Sequence, residues 1–165
     1  MNTPAILEEC QELVKQHEAE IIALCQSLVK TPSFSGDEGA VAQLILEAMQ
    51  RLNYDEAYLD QAGNVVGIVR GEGGPATIFN GHMDIVDAGK PDDWQHPAFG
   101  AEIHQGYLWG RGSADMKGAL AGMLFAAGLF KTWNRKPKGD VMLCTVGLEE
   151  IGGWGTYLLL KDSRL

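Results

Sequence analysis

Cysteine is scarce in this sequence. Cys10, Cys25 and Cys144 stand far apart with no C-x-x-C spacing, which argues against a disulfide framework. Cys10 and Cys25 fall in helix-periodic sequence and Cys144 in a strand-like run, so all three read as buried structural thiols. Reduced thiols point to a cytoplasmic protein. Basic residues are few as well: 13 Lys and Arg face 22 Asp and Glu, a net charge of −9. The cations are scattered rather than clustered, which argues against a nucleic-acid partner or an anionic membrane. Long apolar runs are missing too. The longest, Gly118 to Phe130, carries three glycines and is too short to span a bilayer. The first residues lack a basic region and bring Glu8-Glu9 early, so no signal peptide is expected. There is no internal repeat.

What remains is a chain of 165 residues, long enough for one domain with a real core. Thr3-Pro4 reads as an N-cap with proline at the first helical position. Ile6, Cys10, Leu13, Val14, His17, Ile21, Leu24, Cys25 and Leu28 then recur at helical steps, predicting one amphipathic helix up to Thr31-Pro32. His17 lies on this stripe as a packing residue. Ser35-Gly36-Asp37-Glu38 has the form of a capping box, and the helix behind it carries Val41, Leu44, Ile45, Ala48, Met49 and Leu52 on one face. Tyr54 to Asp60 and Asn64 to Arg70 predict two strands around a turn at Gln61-Ala62-Gly63. Ala76 to Asn80 reads as a short buried strand leading to Gly81-His82, and Pro91 to Gln105 as a loop followed by Tyr107-Leu108-Trp109. Met116 to Trp133 predicts a helix packed on the sheet, Val141 to Val146 a central strand covered on both faces, and Gly152 to Leu160 the start of another helix. This order predicts a layered α/β/α architecture with a mixed, partly parallel sheet.

Three clusters of metal-ligand types lie beside expected strand ends or Gly-bearing turns. The first is His82-Met83-Asp84. Residues two apart in an extended segment point to one side, so Asp84 can hold one ring nitrogen of His82 while the other binds a cation, a relay that fixes the tautomer. Standing alone, His-x-Asp is a common loop pattern. The second is Asp115, within Gly110-Arg111-Gly112-Ser113-Ala114-Asp115-Met116-Lys117-Gly118. A carboxylate at a helix start can bridge two cations; it can equally be an ordinary N-cap. The same segment fails as a phosphate loop, which needs Gly where Met116 stands. It fails as a serine nucleophile elbow, which needs Gly where Asp115 stands. The third is Glu149-Glu150, leaving the apolar strand together. Adjacent carboxylates there repel each other, unless one ligates a metal and the other serves as a general base. One imidazole and several carboxylates suit a divalent cation such as Zn²⁺.

In combination these motifs resemble the metal-site signatures of the dinuclear zinc aminoacylase/carboxypeptidase family, which includes acetylornithine deacetylases, succinyl-diaminopimelate desuccinylases, glutamate carboxypeptidases and related dipeptidases. The resemblance runs from about Ser27 onward. It implies that His82 ligates one zinc, Asp115 bridges both and Glu150 ligates the second, with Glu149 as general base and Asp84 orienting His82. It implies a cis peptide between Asp115 and Met116. The implied cofactor is two Zn²⁺ per complete site, with Co²⁺ or Mn²⁺ as substitutes. The implied reaction is hydrolysis of an amide or peptide bond in an N-acyl amino acid or peptide. Family members are usually more than twice this long. They add another acidic ligand, a late His and a smaller lid or dimerisation domain. Residues 1–165 therefore correspond to the N-terminal portion of a catalytic domain, expected to associate with a C-terminal portion or as a homo-oligomer. The competing expectation is a non-catalytic remnant or partner subunit that binds metal weakly.

Overall fold

A computed structural model describes residues 3–133 and 135–164. Its centre is a four-stranded sheet in the order β1-β2-β6-β3. β1 (Glu56–Leu59) and β2 (Val65–Val69) form the expected antiparallel hairpin, and β2 continues antiparallel onto β6 (Gly139–Val146). β3 (Gly74–His82) runs parallel to β6, with His82 opposite Val146. A short second hairpin pairs β4 (Glu102–His104) with β5 (Tyr107–Trp109). The sheet is mixed and partly parallel, as the alternation of strand and helix patterns predicts.

The two-residue period of the strands divides the core. Val65 and Val69 of β2 and Val141 and Leu143 of β6 face a large cluster, built on that side by α2 (Glu18–Lys30), α3 (Gly39–Arg51) and α4 (Gly118–Gly128). Val66 and Ile68 with Cys144 and Val146 face a smaller cluster closed by Leu159 of α5 (Trp154–Leu159). The layers are thus uneven, with α5 alone covering the second face among the described helices. β6 is central and well covered, as its apolar run implies. α5 comes very close to the turn after β6: a Cβ on Gly155 would fall 1.9 Å from the Gly147 carbonyl oxygen. Among the described residues no helix is long and apolar enough to cross a membrane.

Four local expectations are corrected. The single N-terminal helix is two, α1 (Thr3–Gln16) and α2, parted at His17, whose N–H is shared between the Leu13 and Val14 carbonyls. Thr3 is already helical rather than a cap. α2 buries Leu24, Leu28 and Val29, whereas α1 buries nothing and is held at Glu9 by Trp133 and Arg135. No proline or glycine marks the break. Second, β3 is longer than expected and exposed from Gly74 to Asn80, because it is the sheet edge rather than an inner strand. Third, Glu102–His104 is strand, not loop. Fourth, the capping box does not form. Glu38 is the N-cap of α3 without a side-chain cap bond, and the Ser35 hydroxyl donates instead to Asp84 at 2.6 Å. The helix starts at Gly39, so Ser35 is not at its N-cap and its Oγ has no first-turn N–H to accept.

Candidate metal centre

The parallel pair β3 and β6 ends on the same side of the sheet, and ligands of open α/β sheets gather beyond the carboxyl ends of parallel strands. His82 is the last residue of β3, and Glu149 and Glu150 follow β6 by three and four residues. Asp115 arrives from between them in sequence, in a wide turn over Ser113–Lys117 that opens α4. Asp115 and Met116 leave helical geometry there, and the peptide joining them is cis. Gly112 permits this turn. It has a φ of +78°, and a Cβ on it would lie 2.6 Å from the Ile85 side chain. Asp115 is therefore not the N-cap of α4, a position taken by Lys117.

Ligand-type atoms of His82, Asp115 and Glu150 lie within 4.8 Å of one another. The His82 Nε2 is 2.9 Å from Asp115 Oδ1. On the far side of the ring, Nδ1 is 3.0 Å from the main-chain carbonyl of Asp84, while the Asp84 carboxylate is at 3.5 Å. Asp84 thus meets the imidazole chiefly through its backbone. His82 is buried and Asp84 fully so, whereas the Asp115 side chain is 76% exposed. Glu150 is half-buried; Glu149 is exposed and outside the three-residue cluster.

The Asp84 carboxylate has a different task. It accepts the N–H groups of Glu149 and Glu150, each at 3.1 Å, besides the Ser35 hydroxyl. The two preceding N–H groups are also taken by side chains. Gly147 donates to Asn64 Oδ1 at 3.1 Å, and Leu148 donates to Glu38 Oε1 at 2.9 Å. Four successive backbone donors are therefore satisfied by side chains from three other parts of the chain. This fixes the turn, which includes Leu148 at a φ of +56°. Ser35 braces the Asp84 carboxylate, while Glu38 and Asn64 hold backbone, so none of the three stands out as a metal ligand. Only the spacing Ser-x-x-Glu hints at two of them, and it suggests a different role. Lys117 is a further member. It is fully buried beside the turn and donates to the Thr31 carbonyl at 2.7 Å, and burial pulls its ammonium down to about 8.

The electrostatics favour a cation. Burial pulls the His82 imidazole down, but its bonds to Asp115 and to the Asp84 carbonyl, with both carboxylate charges, raise it overall. Burial pushes the Glu150 carboxyl up; His82 opposes this, and the carboxylates of Asp115, Asp84 and Glu149 add to it. One imidazole nitrogen and oxygens of two carboxylates form a mixed donor set that fits Zn²⁺, with two more carboxylates close by.

A family model described as peptidase family M20/M25/M40 matches residues 78–164, a stretch that contains all three clusters. The chain belongs to this peptidase family. Among curated relatives, a succinyl-diaminopimelate desuccinylase of Pseudoalteromonas atlantica is 35% identical over 132 residues, covering 79% of this chain and 35% of that protein. Among solved structures, an M20 family metallo-carboxypeptidase of Sulfolobus solfataricus superposes with a TM-score of 0.78 at 24% identity, over 88% of this chain and 35% of that one. Human carnosine dipeptidase 1 does so with a TM-score of 0.80 at 19% identity, over 96% and 38%. The chain thus spans about a third of the length of the relatives it matches.

Proposed function

We propose that this chain carries the N-terminal portion of the catalytic domain of a metal-dependent amide or peptide hydrolase, and within it one side of a two-metal site. The observation that carries this reading is the meeting of His82, Asp115 and Glu150 beyond the ends of β3 and β6. His82 and Asp115 would hold one Zn²⁺, and Asp115 and Glu150 the second. When bound, the metal polarises the scissile carbonyl and makes water acidic enough to attack near neutral pH. Asp84 orients His82 through its carbonyl and the Glu149-Glu150 turn through its carboxylate. Glu149, exposed and free of the ligand cluster, is the general base. Its carboxylate takes a proton from the attacking water and returns it to the leaving amine.

The substrate class is an N-acyl amino acid or a short peptide, and the desuccinylase relatives favour the acylated amino acid. Family membership makes the further ligands, the lid or dimerisation domain and the remainder of the catalytic domain the expected complement of residues 1–165. Three free thiols fit a cytoplasmic setting.

Catalytic zinc sites normally hold three protein ligands and one water, whereas each metal would find two among the described residues. The chain alone is therefore expected to hold zinc weakly and to turn over essentially nothing. The test measures zinc after dialysis and hydrolysis of N-succinyl and N-acetyl amino acids. It does so for this chain alone and mixed with the C-terminal portion of the Pseudoalteromonas atlantica relative. Gain of zinc and of Glu149-dependent hydrolysis on mixing supports the reading. Two tightly held zinc ions with robust turnover by the chain alone would overturn the partial-site assignment. A mixture that gains zinc yet hydrolyses as well with Glu149→Gln as without it would overturn the base.

A further inference from the structure

A second cluster of ligand types lies outside the centre just described. His96, Glu102 and His104 bring ring nitrogens and a carboxylate oxygen within 4.8 Å of one another. His96 Nδ1 is 3.2 Å and His104 Nε2 is 3.0 Å from the same atom, Glu102 Oε2. The local fold explains the convergence. Glu102 and His104 are two residues apart on β4 and so share a face. Trp109 pairs with Glu102 across the β4–β5 hairpin, and its ring lies 5.0 Å from that of His96. His96 thus comes from the preceding loop to stack on His104, with ring centroids 3.8 Å apart and planes 17° from parallel.

We propose that His96, Glu102 and His104 form a peripheral divalent-metal site, selective for zinc-like ions, that clamps the loop before β4 onto the β4–β5 hairpin. Zinc bonds of about 2.0–2.2 Å to nitrogen and oxygen separate tetrahedral ligands by roughly 3.3–3.5 Å. The two nitrogen–oxygen separations already lie within a few tenths of an ångström of that. Two imidazoles and one carboxylate also match the His₂Glu set known for zinc, which leaves a fourth position for water. His96 is mostly covered, while Glu102 and His104 are about half exposed, so the open position faces solvent. One adjustment is needed. Parallel rings cannot both aim lone pairs at one ion, so His104 must tilt about χ2. That torsion is broad in energy, and the exposed side of the ring gives it room.

The cluster works independently of the hydrolase reading, so its test removes the other centre. Chelator-stripped chain carrying His82→Asn is titrated with zinc by calorimetry, with size-exclusion chromatography at saturation. One zinc per monomer is expected. His104→Gln added to that background should weaken binding at least about 100-fold, since even outer-sphere partners are worth 10–100-fold in metal affinity. Glu102→Gln should weaken it as well. Both positions are exposed enough for the fold to survive, which circular dichroism checks. Cobalt added in place of zinc should broaden the ring-proton resonances of His96 and His104 together. Three results would each sink the proposal: no zinc bound by the His82→Asn chain, binding unchanged by His104→Gln, or one zinc held between two chains.

Discussion

Replacing Asp84 by Asn separates two roles that a ligand-based reading merges. In the structure the Asp84 carboxylate contributes little to the His82 ring directly, at 3.5 Å, but accepts three hydrogen bonds from donors it holds out of solvent. An amide offers one oxygen. Placed at the Oδ2 position it keeps Ser35 and Glu150, and its NH₂ then confronts the Glu149 N–H, donor against donor. The variant replaces one charge-assisted bond, worth roughly 1.5–3 kcal/mol, by a donor facing a donor, and weakens the other two by a fraction of that each. A net loss of about 2–4 kcal/mol is a sizeable share of the roughly 5–15 kcal/mol that stabilises a domain. With a urea m-value near 2 kcal/mol/M, the unfolding midpoint should fall by about 1–2 M. Tryptophan fluorescence in urea measures this, and hydrogen exchange should quicken first at the Glu149 and Glu150 amides. Ser35→Ala removes only one of the three partners and should shift the midpoint by about half as much. An Asp84→Asn chain that unfolds at the wild-type midpoint with unchanged exchange at Glu149 and Glu150 would refute this account of the turn.

In the mixture with the C-terminal portion of the Pseudoalteromonas atlantica relative, Glu149→Gln should lower turnover by about 10²–10⁴-fold with metal content nearly intact, whereas Glu150→Gln should lose metal; elemental analysis beside kinetics distinguishes them, and equal metal loss would reverse the assignment. Gly155→Ala should destabilise by about 3 kcal/mol or more, since its Cβ would meet backbone at 1.9 Å, and a wild-type melting temperature would contradict that packing. Iodoacetamide at pH 8 should label half-buried Cys10 well before Cys144, whose thiol burial pushes up to about 11, with Asp60 adding to the shift; peptide mass spectrometry reads the order. Ile78→Thr on the exposed β3 edge should raise solubility without lowering stability by more than about 0.5 kcal/mol, seen by light scattering and urea unfolding together.

Much of the architecture is legible in the residues. The α3 stripe, the hairpin around Gln61-Ala62-Gly63 and the continuous apolar run of β6 each combine a periodicity with a turn signal, so local and tertiary preferences agree. Where the sequence misleads, the cause is context. The apolar stripe of α1 and α2 has no interruption at His17, yet only α2 reaches the core. Residues 76–80 look like a buried strand because their apolar content is high; their exposure depends on strand order, which no local pattern encodes. At the candidate centre the ligand types announce themselves through His82, Asp115 and Glu150. The groups that shape the turn do not, since an Asn or Ser accepting or donating one hydrogen bond is chemically unremarkable until the fold brings it 49 to 83 residues along the chain to its partner.

The parallel pairing of β3 with β6 has a consequence for how such a chain can change length. His82 sits opposite Val146, and the distance from there to Glu150 is spent entirely in the braced turn. Beyond the register shift between Gly74 and Thr77, inserting or deleting one residue in the continuous pairing of 77–82 with 141–146 would slide His82 about 3.3 Å against the turn and turn alternate side chains to the wrong face. At the β1–β2 tip Asp60 holds Asn64, which braces that turn, so this tip is constrained as well; the β4–β5 tip and the tip between α4 and β6 are not. Lineages descended from this chain should therefore accumulate gaps at those two tips, while the count of residues from Thr77 to His82 and from Val141 to Glu150 stays fixed.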